Sequence, residues 1–217
     1  PMAKELDSSV SVVWDGGSQT VTVRSSKLNL TAKVGQLYLV ANGRYLYIPE
    51  GVQLVNGRVT VPLSVLTEAF DASLTWNAAT GVVAVTRGSG ALTPADQYYN
   101  QDDLFWLCRI IYAESGNQPL EGMMAVGNVV LNRVNDPIYP NTIVGVLAQK
   151  NQFTTYQSGK LAYRTPNENS VIAAKLVLDG GVVEETKGAT HFDSCSNSWA
   201  SRHKTCVAVI GGHRFYA

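Results

Sequence analysis

Charged side chains are scarce in this sequence of 217 residues. They make up 16% of the chain, and 17 Lys and Arg are balanced by 17 Asp and Glu, so the formal net charge is zero. Soluble domains average roughly 25% charged residues. Proteins that bind nucleic acid chiefly by neutralising phosphates carry a strong basic surplus. We therefore exclude nucleic acid as a main partner and expect a surface made largely of neutral polar groups.

Long apolar runs are also absent. A membrane-spanning helix needs about 18 consecutive apolar residues, and no such run occurs in the sequence. We therefore expect no membrane span. Residues 1–4 lack the basic and then apolar pattern of a signal peptide, but this start says little about a leader in the natural gene.

Histidine and cysteine are few and unevenly placed. All three His and all three Cys lie beyond residue 100, whereas residues 1–95 consist of short Val, Thr, Leu and Tyr runs separated by Gly. This change in composition predicts two domains. We expect a β-rich domain over 1–90, a linker over 91–101, and an α+β, mainly helical domain over 102–217.

Alternation of apolar and polar residues predicts the strands of the first domain. The stretches 20–23, 37–40 and 82–85 have the two-residue period of half-buried strands. Residues 62–70 predict one short helix with Pro in its first turn. The first domain is therefore expected to be a small sheet structure with a single helix.

This domain also repeats itself. Trp14 precedes Val21 by the same interval that separates Trp76 from Val83, so residues 10–25 are a partial repeat. A repeated strand unit without a cluster of chemical groups is typical of a spacer or a binding module.

The segment NGRVTVPLSVLTEAF, followed by LTWN and VVAV, resembles the copper amine oxidase N-terminal-like family over roughly residues 26–88. Ser64 stands where that family usually has Arg. The resemblance implies a small stalk-like domain. We expect no copper, because residues 1–95 contain no His or Cys and only Met2 as a soft ligand.

Helical periodicity begins at the second domain. Apolar residues from Leu104 to Ile111 recur at spacings of three and four, with Asp102 or Asp103 as the expected N-cap and Gly116 as the end. Three further helices are predicted over 119–134, 142–149 and 169–178, and short strands or ordered loops after 188. The nearly all-apolar second helix is expected to be buried at the centre.

Glu114 is the candidate catalytic residue. It follows Leu107, Ile110 and Ile111 by seven, four and three positions, so it projects from their apolar face in the last helical turn. Partial desolvation and the C-terminal end of the helix dipole both favour a neutral carboxyl, which suits a general acid. From spacing alone, a salt bridge or a solvated Glu is the commoner outcome.

Four separated motifs change that balance. The motifs are LFWLCRIIYAESGNQPLEGMMAVGNVVLNRVND, YPNTIVGVLAQKNQFT, GATHF and IGGHRFY. In this order they resemble the SleB-like spore cortex-lytic and cell wall hydrolase family over residues 102–217. The resemblance implies a lysozyme-like fold and makes Glu114, in Tyr112-Ala113-Glu114, the catalytic residue. It also implies that the protein is secreted and that its partner is the peptidoglycan of the cell wall or spore cortex.

A single carboxylate suffices for one reaction of this kind. A lytic transglycosylase uses one Glu first as acid and then as base, and closes a 1,6-anhydro ring without water, whereas a retaining glycosidase needs a second carboxyl group about 5–5.5 Å away. Asp193 is the strongest second carboxylate in the sequence, although a strand-end Asp often only caps a turn. A hydrolytic muramidase and a non-catalytic peptidoglycan-binding protein therefore remain alternatives. We expect no cofactor and a monomer.

Several residues are candidates for contact with the glycan. An amide beside an aromatic ring suits an N-acetyl sugar, although Phe153 is equally suited to a core position and Trp199 to packing a loop. The candidates are Tyr112, Gln152, Phe153, Thr154, His191, Asp193 and Tyr216.

The cysteines allow more than one interpretation. Cys195 and Cys206 are eleven residues apart in a polar loop, and we favour a disulfide between them in a secreted chain. The spacing of His191, Cys195, His203, Cys206 and His213 lacks the order of known zinc motifs, so no metal is expected. Cys108 lies on the apolar face of a helix, which predicts a buried, unreactive thiol.

Overall fold

The computed structural model describes residues 1–217 and divides them into two units, Pro1–Tyr98 and Tyr99–Ala217. In the first unit the strands fall where alternation predicts them. Its elements are α1 (Met2–Leu6), β1 (Ser11–Asp15), β2 (Thr20–Arg24), β3 (Asn29–Lys33), β4 (Tyr38–Ala41), β5 (Arg44–Tyr47), β6 (Gln53–Val55), β7 (Arg58–Thr60), α2 (Leu63–Ala69), β8 (Ser73–Asn77), β9 (Val82–Thr86) and α3 (Ala95–Tyr98).

Strands β1 to β5 form an antiparallel sheet in chain order, while β6–β7 and β8–β9 form two separate hairpins. The core lies between the sheet and α2, with Leu28, Leu30, Leu46 and Phe70 at most 2% exposed. The repeat seen in the sequence is structural: Trp14 pairs with Val21 in β1–β2 as Trp76 pairs with Val83 in β8–β9.

The predicted linker is not a free tether. Leu92 belongs to the core of the first unit, and its backbone N–H donates to the Ala69 carbonyl at 3.2 Å. Helix α3 follows it within the same unit. The part of the segment 91–101 that precedes Tyr99 is therefore ordered structure of the first unit.

The second unit is mainly helical and ends in a small sheet, which confirms the predicted α+β class. Its elements are α4 (Gln101–Ser115), α5 (Leu120–Asn135), α6 (Ile143–Leu147), α7 (Thr154–Gln157), a 3-10 turn (Lys160–Tyr163), α8 (Glu168–Leu178), a second 3-10 turn (Glu184–Thr186), β10 (His191–Asp193), α9 (Trp199–His203), β11 (Cys206–Ile210) and β12 (His213–Tyr216). The sheet is antiparallel with the order β10-β12-β11.

Helix α5 lies at the centre of this unit, as its apolar sequence predicts. Gly127 allows the close approach of its neighbours, because a Cβ there would lie 3.0 Å from Ile111 of α4 and 3.2 Å from Val177 of α8. Helix α4 begins slightly earlier than predicted: Asn100, not Asp102 or Asp103, is the N-cap, and its side chain accepts from both of those backbone N–H groups. No helix in the protein is long and apolar enough to cross a membrane.

The favoured disulfide does not form. All three cysteines are free, and Cys195 and Cys206 are exposed while Cys108 is buried. Cys206 starts β11 and Cys195 follows β10, and β12 lies between these two strands. Burial raises the pKa of the Cys108 thiol, in keeping with the predicted unreactive thiol.

Candidate active site

Glu114 occupies the last turn of α4 and is half-buried. Leu107, Ile110 and Ile111, which share its side of the helix, are completely buried. Burial raises the pKa of the Glu114 carboxyl above its usual value of 4.5, and the Thr155 hydroxyl opposes this shift. The carboxyl is therefore held closer to its neutral form than a solvated Glu would be.

Helix α7 carries Thr155 towards Glu114. The ring of Tyr156 on α7 packs edge-on against Trp106 of α4, with centroids 5.2 Å apart, which fixes the short helix against the longer one. Thr155 Oγ1 is buried and has no hydrogen bond of ordinary geometry. A buried hydroxyl beside the acid is thus available to a ligand or to the carboxyl itself.

Arg133 ties two neighbouring segments to α5. This side chain is only 4% exposed. Its Nε donates to the Thr190 carbonyl at 2.6 Å and its Nη1 to Gln152 Oε1 at 2.9 Å. Its guanidinium also lies near the rings of Tyr139 and Phe153, 5.3 and 5.6 Å from their centroids. One buried cation therefore fixes both the segment before α7 and the start of β10.

The three predicted contacts at 152–154 have different environments. Gln152 is exposed, but its side-chain amide oxygen accepts a hydrogen bond from Arg133. Phe153 is 4% exposed and belongs to the core. Thr154 is exposed at the start of α7, and Thr155 is the threonine associated with Glu114.

His191 is half-buried on β10, and its Nδ1 lies 3.0 Å from the Thr190 hydroxyl. Desolvation, with smaller contributions from the positive charges of Arg133 and Lys204, lowers its pKa to about 4. The imidazole is therefore neutral at neutral pH, where it can donate and accept hydrogen bonds.

Asp193 and Tyr216 contact each other across the sheet. Tyr216 is 1% exposed, and its hydroxyl donates to Asp193 Oδ1 at 3.3 Å. The other carboxylate oxygen of Asp193 accepts from the Ser198 hydroxyl. Both oxygens of Asp193 are thus engaged by side chains other than Glu114.

Tyr112 is half-buried one turn from the end of α4. A Cβ at Gly116 would come within 2.6 Å of its ring, so only glycine fits beside it. Two further carboxylates of this unit have partners of their own: Asp136 caps a turn by accepting from the Ile138 N–H, and Glu184 pairs with Lys187 at the surface.

Sequence reasoning missed two residues of this site. Thr155 follows Thr154, which the sequence made a candidate. The position at which α7 begins determines which of the two threonines faces Glu114. Arg133 lies in the first of the four family motifs, but its partners Gln152 and Thr190 are 19 and 57 residues away in sequence. No three of the His, Cys, Asp and Glu side chains are grouped as a metal ion requires.

Comparison with known proteins adds to this geometry. The cell wall hydrolase family matches residues 117–216, a range that begins three residues after Glu114, and the copper amine oxidase N-terminal domain family matches residues 1–85. The catalytic domain of the Bacillus cereus SleB protein is 30% identical with a TM-score of 0.50, and the match covers 60% of this chain and all of that one.

The chain belongs to the cell wall hydrolase family. Among curated relatives, the spore cortex-lytic enzyme of Bacillus cereus is 41% identical over 121 residues, and that of Bacillus subtilis strain 168 is 36% identical over 118 residues. Each alignment covers 54% of this chain but only 45% and 38% of the relatives. The chain thus spans less than half the length of the curated relatives it matches.

Proposed function

We propose that the second unit cleaves the glycan strands of peptidoglycan as a lytic transglycosylase, with Glu114 as its only acid and base. The observation that carries this proposal is the half-buried Glu114 carboxyl, whose pKa is raised by desolvation. A carboxyl whose neutral form is favoured by burial can donate its proton to a leaving oxygen. Family membership and the spore cortex-lytic relatives support a cell wall substrate.

The reaction balances with one carboxyl group. Glu114 donates its proton to the oxygen that links N-acetylmuramic acid to N-acetylglucosamine, and the bond from that oxygen to C1 breaks. The resulting carboxylate then takes the proton of the muramic C6 hydroxyl while O6 bonds to C1. The product carries a 1,6-anhydro ring, Glu114 is protonated again, and no water is consumed.

Engagement of Asp193 by Ser198 and Tyr216 favours this reaction over hydrolysis. Both contacts fit a structural role for Asp193, which leaves Glu114 as the acid and base. We further propose that the protein acts as a monomer at the cell wall or spore cortex, with the first unit as a stalk-like spacer.

Digestion of purified peptidoglycan tests the proposal. Mass spectrometry of the wild-type products should show anhydro-muramic ends, and Glu114→Gln should yield none while keeping the wild-type circular dichroism spectrum. Reducing muramic ends would point to a hydrolytic muramidase instead. No cleavage by the wild-type chain would leave a peptidoglycan-binding protein.

A further inference from the structure

Trp199 is exposed and yet held by its neighbours. It is 56% exposed on α9. The His203 ring stacks on the indole, with centroids 4.8 Å apart and planes 15° apart, and His203 Nδ1 donates to the Trp199 carbonyl at 2.8 Å. The His191 ring lies 5.5 Å from the indole at a tilt of 38°. These contacts restrict the indole without removing it from solvent.

A polar network fixes the helix that carries Trp199. Ser198 is the N-cap of α9: its hydroxyl accepts from the Ser201 N–H, and the Ser201 hydroxyl accepts from the Ser198 N–H, both at 2.9 Å. The Ser198 hydroxyl donates in turn to Asp193 on β10. Asp193 therefore connects the start of α9 to the sheet, immediately before the exposed indole.

Arg133 links the segment that carries this network to the segment that precedes Thr155. His191 follows Thr190, whose carbonyl is bound by Arg133. Arg133 also holds Gln152, which precedes the helix that brings Thr155 to Glu114. Arg133 therefore anchors both the start of the segment that carries Trp199 and the segment that carries Thr155.

The chemistry of this surface suits a sugar ring. An exposed aromatic ring that is already ordered offers apolar area at little cost in side-chain entropy, and sugar rings present C–H groups that pack on such a surface. The neutral imidazole of His191 beside it can donate to and accept from hydroxyl and acetamido groups. Residues 187–217 carry four basic and one acidic side chain, a surplus of positive charge that favours an anionic glycan.

We propose that Trp199 binds an N-acetylated sugar ring of the glycan strand, and that Asp193 is a positioning residue that orients Trp199 through Ser198. This inference rests on the proposed function, since it assigns part of the same substrate to a surface of the same unit. It gives Asp193 a role that requires no proton transfer.

Binding to soluble glycan strands tests the role of Trp199. The strands are released from peptidoglycan by an amidase, and all variants carry Glu114→Gln so that no cleavage intervenes. Trp199→Ala should weaken binding about tenfold, which corresponds to about 1.4 kcal/mol. Trp76→Ala, which removes a comparably exposed indole of the first unit, is the matched control and should bind as the parent does. Equal binding by Trp199→Ala and the parent would overturn the inference.

A second comparison tests the role of Asp193. Asp193→Ala should weaken binding as Trp199→Ala does, whereas Asp193→Asn, which keeps an acceptor for Ser198, should restore most of it. Ser198→Ala removes the same hydrogen bond, together with the N-cap of α9, without touching Tyr216, and it should also weaken binding. If Asp193 acts through Trp199, Asp193→Ala adds no further loss to Trp199→Ala. A further loss in the double variant would show that Asp193 contacts the glycan itself and would overturn its positioning role.

The two proposals fail separately. Trp199-dependent binding without glycan cleavage by the wild-type chain would reject the transglycosylase reaction and keep the sugar site. Cleavage with binding that does not depend on Trp199 would reject the sugar site and keep the reaction.

Discussion

Arg133 donates a hydrogen bond to Gln152 across 19 residues of sequence, with Nη1 2.9 Å from Oε1. The same buried guanidinium holds the Thr190 carbonyl. Arg133→Met should lower the free energy of unfolding by about 2–4 kcal/mol, because two acceptors lose their donor. Gln152→Ala should cost about 1 kcal/mol. Chemical denaturation of the single and double variants measures both costs. The double variant should cost less than the sum of the singles, and additive losses would show that the two side chains are not coupled.

Glu114→Gln should stabilise the protein at neutral pH. The folded-state pKa of this carboxyl is raised, so the folded protein binds the proton more tightly than the unfolded chain does. Stability therefore falls as pH rises from the ordinary value of 4.5 through the raised folded value, and it stays lower above that window. The neutral amide avoids this loss, and a gain of about 0.5–2 kcal/mol is expected at pH 7.

Denaturation of wild type and Glu114→Gln at pH 4 and pH 7 measures this difference. The gain should be present at pH 7 and disappear at pH 4, where both side chains are largely neutral. Glu185→Gln changes an exposed carboxylate of the same unit and controls for the loss of one negative charge. A gain that is equal at both pH values would contradict the desolvation of Glu114.

Thr155 should influence the alkaline limit of activity through the pKa of Glu114. Its hydroxyl lowers the pKa of Glu114, so Thr155→Val should raise that pKa further. If protonated Glu114 is the acid, the alkaline limb of the pH-rate profile should move to higher pH. Thr155→Ser keeps the hydroxyl and should keep the wild-type limb. A profile that does not change with Thr155→Val would show that the alkaline limb does not report the ionisation of Glu114.

His191 should contribute to loss of stability in acid. Its folded pKa of about 4 lies below the ordinary value of 6.5, so the unfolded chain takes up the proton first. The neutral imidazole is favoured in the fold, and stability is lost as pH falls from 6.5 through about 4. We expect a loss on the order of 1 kcal/mol after allowance for solvent screening.

Urea denaturation between pH 7 and pH 4 checks this loss, which should be smaller in His191→Gln. NMR titration of the imidazole provides a direct test. A midpoint near 6.5 would mean that burial and the charge of Arg133 have little effect on His191.

Local sequence patterns predicted those features that depend on nearby residues. Spacings of three, four and seven placed Glu114 on the buried side of α4, and the apolar run of α5 predicted a central helix. The partners of Arg133 are far away in sequence, and periodicity carries no signal for them. The Cys195 to Cys206 interval suggested a disulfide, but both thiols are free. Sheet order, which the interval does not encode, separates β10 from β11 by β12.

Cleavage of peptidoglycan in water enriched in oxygen-18 tests the central claim, that Glu114 acts without a second carboxylate or a water nucleophile. Mass spectrometry of the new muramic ends should show no oxygen-18 and the mass of a 1,6-anhydro ring, and Glu114→Gln should produce no new ends. Oxygen-18 at C1 of the new muramic ends would show that water attacks the glycan, and it would contradict the account.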